Sequence, residues 1–286
     1  QNYILPMGGA IWSTPPAAMM DYPALSFFRF FDNHRLMHAE QLPWRTVTGG
    51  SKQYVDAACA VLGERLRLNA PVEQVSPFGD HVKVTTADGH DHLFDDVIVA
   101  AHSDTARALL APAYEDQRFL LKSVGYRPNR IYLHKNPDYM PERKRAWASW
   151  NVIDRHSDGE NICLTYWMNR LQNLPDTHPL FVTLNPVEPP PASDVFHELT
   201  FDHPQFDAAA AAACRSLERI QSDRGLWLAG AWLGSGFHED GLKSGLRAAL
   251  SLGGRVPWEA ENVTLVERLG AKAARADLKA AGTAAQ

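Results

Sequence analysis

The stretch from 226 to 254, LWLAGAWLGSGFHEDGLKSGLRAALSLGG, constrains the fold more than any other part of the chain. An apolar run with an aromatic residue, LWLAG, ends in small residues, a glycine-bearing turn follows, and a helical pattern takes over at Gly241. By that order an α/β protein brings backbone N–H groups up to an electron-rich ligand. The first amides of a helix have no internal acceptors and stand at the positive end of its dipole. Gly230 and Ala231 allow close approach, and Gly241 lets the first turn present bare amides. Asp240 can cap the helix, and Glu239 can accept from ligand hydroxyls. The same residues also suit a tight strand-to-helix connection that binds nothing.

The rest of the chain supplies further elements. NYILPMGGAIW and PALSFFRFFDNHRLM read as helices, punctuated by Pro6, Pro15, Pro16 and Pro23. SKQYVDAACAVLGERL places Tyr54, Ala58, Val61, Leu62 and Leu66 at helical spacing. LRLNAPVEQVSP predicts a short strand, HVKVTTADGHDHLF a hairpin turning at Asp88-Gly89, and DDVIVAAH a buried strand ending at Ala100. Beyond 111, NRIYLHKN, AWASWNVI, NICLTYWMN and FVTLNP suit a mixed or antiparallel sheet, followed by the alanine-rich helix DAAAAAACRSLERI. The expected organisation is two interleaved domains. Residues 46–110 and 226–258 form an α/β part, 1–45 and 111–225 a sheet-and-helix part, and 259–286 an Ala- and Lys-rich tail.

Composition excludes several function classes. A net charge of -5 and no basic stripe argue against nucleic-acid binding. Cys59, Cys163 and Cys214 lie far apart without zinc or disulfide spacing, so a reduced, cytoplasmic chain is expected, with no metal. No apolar run approaches the roughly 18 residues of a spanning helix. Ser235 is flanked at the nucleophile-elbow positions by Leu233 and Phe237, and after Gly49 the second candidate, at Ser51, has Gln53 in place of the second glycine. His34 and His38 have metal-ligand spacing, but Arg35 stands where a metalloprotease carries its glutamate. Metal-dependent hydrolysis is thus the remote alternative. No P-loop and no GxGxxG occurs in the 286 residues.

Several segments in order resemble a known superfamily. They are PMGGAIWSTPP (6–16), WRTVTGGSKQYV (44–55), PVEQV (71–75), FDDVIVAAHSD (94–104), RAWASWNV (145–152), LTYWMNRLQNL (164–174), FVTLNP (181–186), WLAGAWLGSGFHEDGLKSG (227–245) and PW (257–258). Together the chain resembles the flavin-dependent amine oxidase and phytoene desaturase-like superfamily. Within it the chain is most similar to the bacterial branch of predicted NAD/FAD-binding proteins found with cyclopropane-fatty-acid synthase-like enzymes.

The resemblance implies an FAD-binding doubly wound domain lacking its first βαβ unit, interleaved with a mixed-sheet plus helix substrate domain. The family's GxGxxG turn would precede Gln1, so the chain is expected to be a C-terminal part that alone binds FAD weakly. It implies cofactor contacts at the backbone of Val72, at Ala101 and His102, at Gly230, Ala231 and Trp232, and at Glu239, Asp240, Gly241 and Leu242. Trp150, Tyr166 and His134 are the candidates for the substrate side, with Trp147, Trp167, Asn151 and Asn169 around them. The implied reaction is hydride transfer from an apolar or lipid-like substrate to FAD. The aromatic helix after Pro23 would line an acyl-chain channel or rest on the inner membrane face. The alternative is a non-catalytic, ligand-binding remnant of a flavoprotein.

Overall fold

The computed structural model describes residues 4–15, 17–38, 45–153 and 162–256. In chain order its elements are α1 (Ile4–Trp12), α2 (Ala24–Asn33), α3 (Lys52–Leu62), β1 (Val72–Phe78), β2 (His81–Thr86), β3 (Asp91–Phe94), β4 (Val97–Val99), α4 (Ser103–Leu109) and α5 (Glu115–Leu121). There follow β5 (Tyr126–His134), β6 (Trp150–Val152), β7 (Leu164–Trp167), α6 (Met168–Gln172), β8 (Phe181–Leu184), β9 (Val195–Pro204), α7 (Ala208–Leu217), β10 (Leu226–Leu228) and α8 (His238–Ser251). The fold is α/β. Pro16, Trp44, the Pro257-Trp258 pair and the expected tail at 259–286 lie outside the described residues.

The chain divides into two compact units of two segments each, 1–69 with 125–208 and 70–124 with 209–286. The crossing points fall at 69/70, 124/125 and 208/209, where sequence patterning places them near 45, 110 and 225.

The first unit is built on a five-stranded sheet of order β6-β7-β8-β5-β9. Every neighbouring pair is antiparallel, which decides between the mixed and the antiparallel sheet that the strand spacing allows. Between β7 and β8 the chain forms only the five-residue α6, too short to serve as the packed crossover helix that usually joins a parallel pair. The longest strand, β9, pairs with β5 from Tyr126↔Pro204 to His134↔Val195, and sequence patterning misses it. As an edge strand with most side chains exposed, it lacks the alternation that a half-buried strand displays.

The N-terminal helices of this unit form an aromatic cluster. Trp12 is fully buried, and its ring centroid lies 4.9 Å from Phe30, while Phe27 and Phe31 stack at 4.2 Å. α2 buries Phe27, Phe30 and Phe31 and leaves Leu25 and Phe28 exposed. α1 tolerates its glycines because they are points of close approach: a Cβ on Gly9 would stand 2.3 Å from Ile162 Cδ1 and 2.6 Å from Thr14 O. α3 covers most of the span its spacing predicts but ends at Leu62, before Leu66, and none of its residues is buried.

The second unit holds two sheets. β1, β2 and β3 form an antiparallel meander whose β2–β3 turn has Gly89 at φ +82, as the Asp88-Gly89 pair predicts. β4 and β10 form a parallel pair in the register Val97↔Leu226, Ile98↔Trp227 and Val99↔Leu228. Val99, Leu226 and Leu228 are buried, α8 packs on β10, and α4 packs on α5 and β1. Among the described residues no helix is long and apolar enough to cross a membrane.

Candidate functional site

The two parallel strands run side by side and end together, and each carboxyl end leads into a helix. In open α/β sheets ligands bind at such strand ends. Past β4, the chain passes through Ala100, Ala101 and His102 into α4. Past β10 it makes the turn that opens α8. Trp232 ties the two ends together, with its buried indole donating from Nε1 to Ala101 O at 2.9 Å. Ala229 N–H donates to Val99 O at 3.1 Å, extending the ladder one residue past the strands.

Gly230 is required here, since a Cβ on it would meet Trp232 Nε1 at 2.4 Å. Its N–H donates to Ser244 Oγ at 2.9 Å. The single Ser244 proton lies between Gly241 O at 2.9 Å and Gly230 O at 3.2 Å, which holds the turn against α8. The backbone of Ala231 lies 3.8 Å from the place a Gly241 Cβ would occupy. Cys214 closes the underside, its thiol donating to Trp232 O at 3.4 Å, and burial pushes its pKa up to about 12, so it stays a neutral donor.

The turn leaves backbone donors open. Among the described residues no acceptor meets the Ala231 or the Trp232 N–H. Asp240, by contrast, is already engaged: its carboxylate accepts from Phe237 N–H at 3.1 Å, capping α8 from the third helical position. Glu239 and Leu242 are exposed on the first turn, and Glu239 pairs with Lys243 at 3.2 Å. His102 is exposed at the start of α4. Val72 opens β1, at the outer edge of the meander opposite Thr86, and among the described residues no strand pairing joins it to β4 or β10.

The three substrate-side candidates lie in the first unit and divide between the faces of its sheet. Trp150 and Tyr166 are paired across β6 and β7, and their rings are nearly parallel, 4° apart with centroids at 6.3 Å. Thr165, the neighbour of Tyr166, points to the opposite face, and its hydroxyl meets Thr183 at 2.8 Å. Thr183 in turn meets His134 Nε2 at 2.7 Å, so His134 belongs to that opposite face.

His134 is fully buried with both ring nitrogens engaged. Asn136 N–H donates to Nδ1 at 3.1 Å, which leaves the ring proton on Nε2 to donate to Thr183. Burial lowers its pKa to about 4, only partly opposed by the Asp194 carboxylate, so the imidazole is neutral. Asn151 and Asn169 serve backbone: Asn151 accepts from Ala148 N–H at 2.9 Å, and Asn169 donates to Pro175 O and His178 O at 2.8 Å. Sequence reasoning missed Ser244, Thr165 and Thr183. Ser244 had a signal, since at i+3 from Gly241 it faces the same side of the helix; the threonines had none.

Residues 1–130 match the family model described as flavin containing amine oxidoreductase. No curated protein matches. Solved structures share the fold. Cyclohexylamine oxidase from Brevibacterium oxydans IH-35A superposes with a TM-score of 0.59 at 13% identity, over 88% of this chain and 63% of that one. Reduced UDP-galactopyranose mutase gives 0.58 at 13%, over 96% and 67%. A double mutant of putrescine oxidase gives 0.51 at 13%, over 72% and 53%. The chain therefore spans about half to two thirds of the length of these solved chains. Residues 1–130 carry the sequence pattern of the flavin containing amine oxidoreductases, on an α/β fold shared with these oxidases and the mutase, and FAD is the cofactor this pattern supports.

Proposed function

We propose that the chain is part of an FAD-dependent oxidoreductase that takes hydride from an apolar, acyl-chain-like substrate. The observation that carries the cofactor reading is the β10–α8 turn, where the Ala231 N–H, between Gly230 and Gly241, has no acceptor among the described residues. An anionic or carbonyl-bearing group brought there gains that N–H and the positive end of α8. The residues present fit FAD: Gly230, Ala231 and Gly241 supply close approach, while Ala101 and His102 bound the site from β4. Bound FAD supplies a two-electron acceptor. The chain's own part is to hold it on rigid strand ends, with Trp232 and Ser244 fixing the backbone and Asp240 fixing the helix start.

The family match over 1–130 and the shared fold support this reading; the acyl-chain substrate is supported by the apolar row Val152, Leu164, Val182 and Leu184 beside Trp150 and Tyr166. The test is flavin uptake by the full-length gene product. A yellow protein with stoichiometric FAD is expected, and a Gly241→Val variant should lose most of it, because the two added methyls reach the Ala231 backbone. A colourless protein that takes up no added FAD would overturn the proposal.

A further inference from the structure

Two polar groups on one face of the five-stranded sheet have no partner among the described residues. The Trp150 Nε1–H is shielded from solvent and has no acceptor among them. Beside it, the Tyr166 hydroxyl has no acceptor among the described residues, and burial raises its pKa, which keeps it protonated. Buried N–H groups are almost always paired, so an orphan on a candidate site needs a reason. Both groups are donors: the indole nitrogen has no lone pair to offer, and the protonated phenol presents O–H.

The surroundings are apolar. Register and alternation put Val152, Leu164, Val182 and Leu184 on the same face as Trp150 and Tyr166. One side-chain repeat along the strands, about 7 Å, Leu164 and Leu184 form one wall of a small cleft, with Gly9, Ala10, Ser13 and Thr14 on another.

We propose that this face binds an apolar chain by an oxygen acceptor at its head, with the Trp150 N–H and Tyr166 O–H as its two donors and the row of Val and Leu side chains holding the chain. The head is a carboxylate or a carbonyl, which accepts from both groups; an alkylammonium, itself only a donor, finds an acceptor in the Tyr166 phenol oxygen alone and none at the indole. In the free chain the indole N–H is covered, so the ligand oxygen reaches it as the covering groups part. The proposal rests on the reading of an acyl-chain substrate and needs no flavin.

The test is calorimetric titration of the full-length protein and its W150F and Y166F variants with decanoate, methyl decanoate and decylamine. Decanoate should bind, and decylamine should bind at least about tenfold more weakly. Each variant should lose about tenfold in decanoate affinity, while W150F also raises the thermal midpoint by removing the orphan donor. Comparable binding of methyl decanoate would assign the head as a neutral carbonyl, and its loss a carboxylate. A W150F protein that melts higher yet binds decanoate within about twofold of wild type would overturn the proposal, as would equal binding of decylamine. If W150F does not fold, Y166F decides alone. Flavin uptake is read separately on the wild type, so its failure would sink the cofactor reading and leave this one standing.

Discussion

The β10–α8 turn and the His134–Thr183–Thr165 row treat their polar groups in opposite ways. In the turn, Gly230 is held by Ser244 and Trp232 by Ala101, but the neighbouring Ala231 N–H is left open at the end of two rigid strands. In the row, buried donors are matched with buried acceptors from Asn136 through His134 and Thr183 to Thr165. A closed network specifies one arrangement of a core, whereas an open donor on a fixed backbone is a place for something to bind. The histidine that chemistry would single out thus lies in the closed region, while a plain alanine amide marks the open one.

The largest effect is expected at Gly230. Gly230→Val drives a side chain into the Trp232 ring and should destabilise the second unit by about 3 kcal/mol, read by urea unfolding, with loss of flavin uptake. Thr183→Val should cost about 2 kcal/mol, because it strands the His134 Nε2–H and the Thr165 hydroxyl; flavin uptake should be unchanged, which separates the two regions.

The pH dependence follows from the depressed His134 pKa. The unfolded chain takes up its proton below about pH 6.5, the folded chain below about 4. Stability from this residue is therefore complete above about 6.5, falls by on the order of 2 kcal/mol as pH drops through that window, and levels off below it. Unfolding midpoints across pH should show the slope in wild type and not in His134→Gln. Ser244→Ala, which leaves the Gly230 N–H without its acceptor, should cost about 1 kcal/mol. The smallest effect is Gly241→Ala: its Cβ meets Ala231 at ordinary van der Waals distances, and the helix gains about 0.5–1 kcal/mol of propensity. A loss of stability there would show that the turn is tighter than the structure has it.

Local signals carried much of the fold. Glycine turns and apolar runs located β2, β3, β4, β10 and α8, because each is bounded by residues whose backbone preferences are their own. β9 was illegible, since its register comes from β5 and not from its exposed side chains. At the candidate site the glycines were legible, while the roles of Asp240 and Trp232 needed coordinates. An aspartate at a helix start serves a ligand or a cap equally well by sequence, and here its carboxylate is committed to Phe237 N–H. Nor could a sequence tell that His134 and Tyr166 occupy opposite faces, since that depends on which residue pairs with which across β5, β7 and β8.

The interleaving of segments has a consequence for how the molecule is made. β4 is synthesised about 130 residues before its partner β10, and β5 completes its ladder only when β9 follows. During synthesis the apolar strand Val97–Val99 therefore waits for β10 until the chain has crossed twice more between units. Such long-range pairing makes for slow folding and exposes the early strand to wrong partners. A chaperone that shields the nascent β4 segment should raise the yield of folded protein more than any surface substitution.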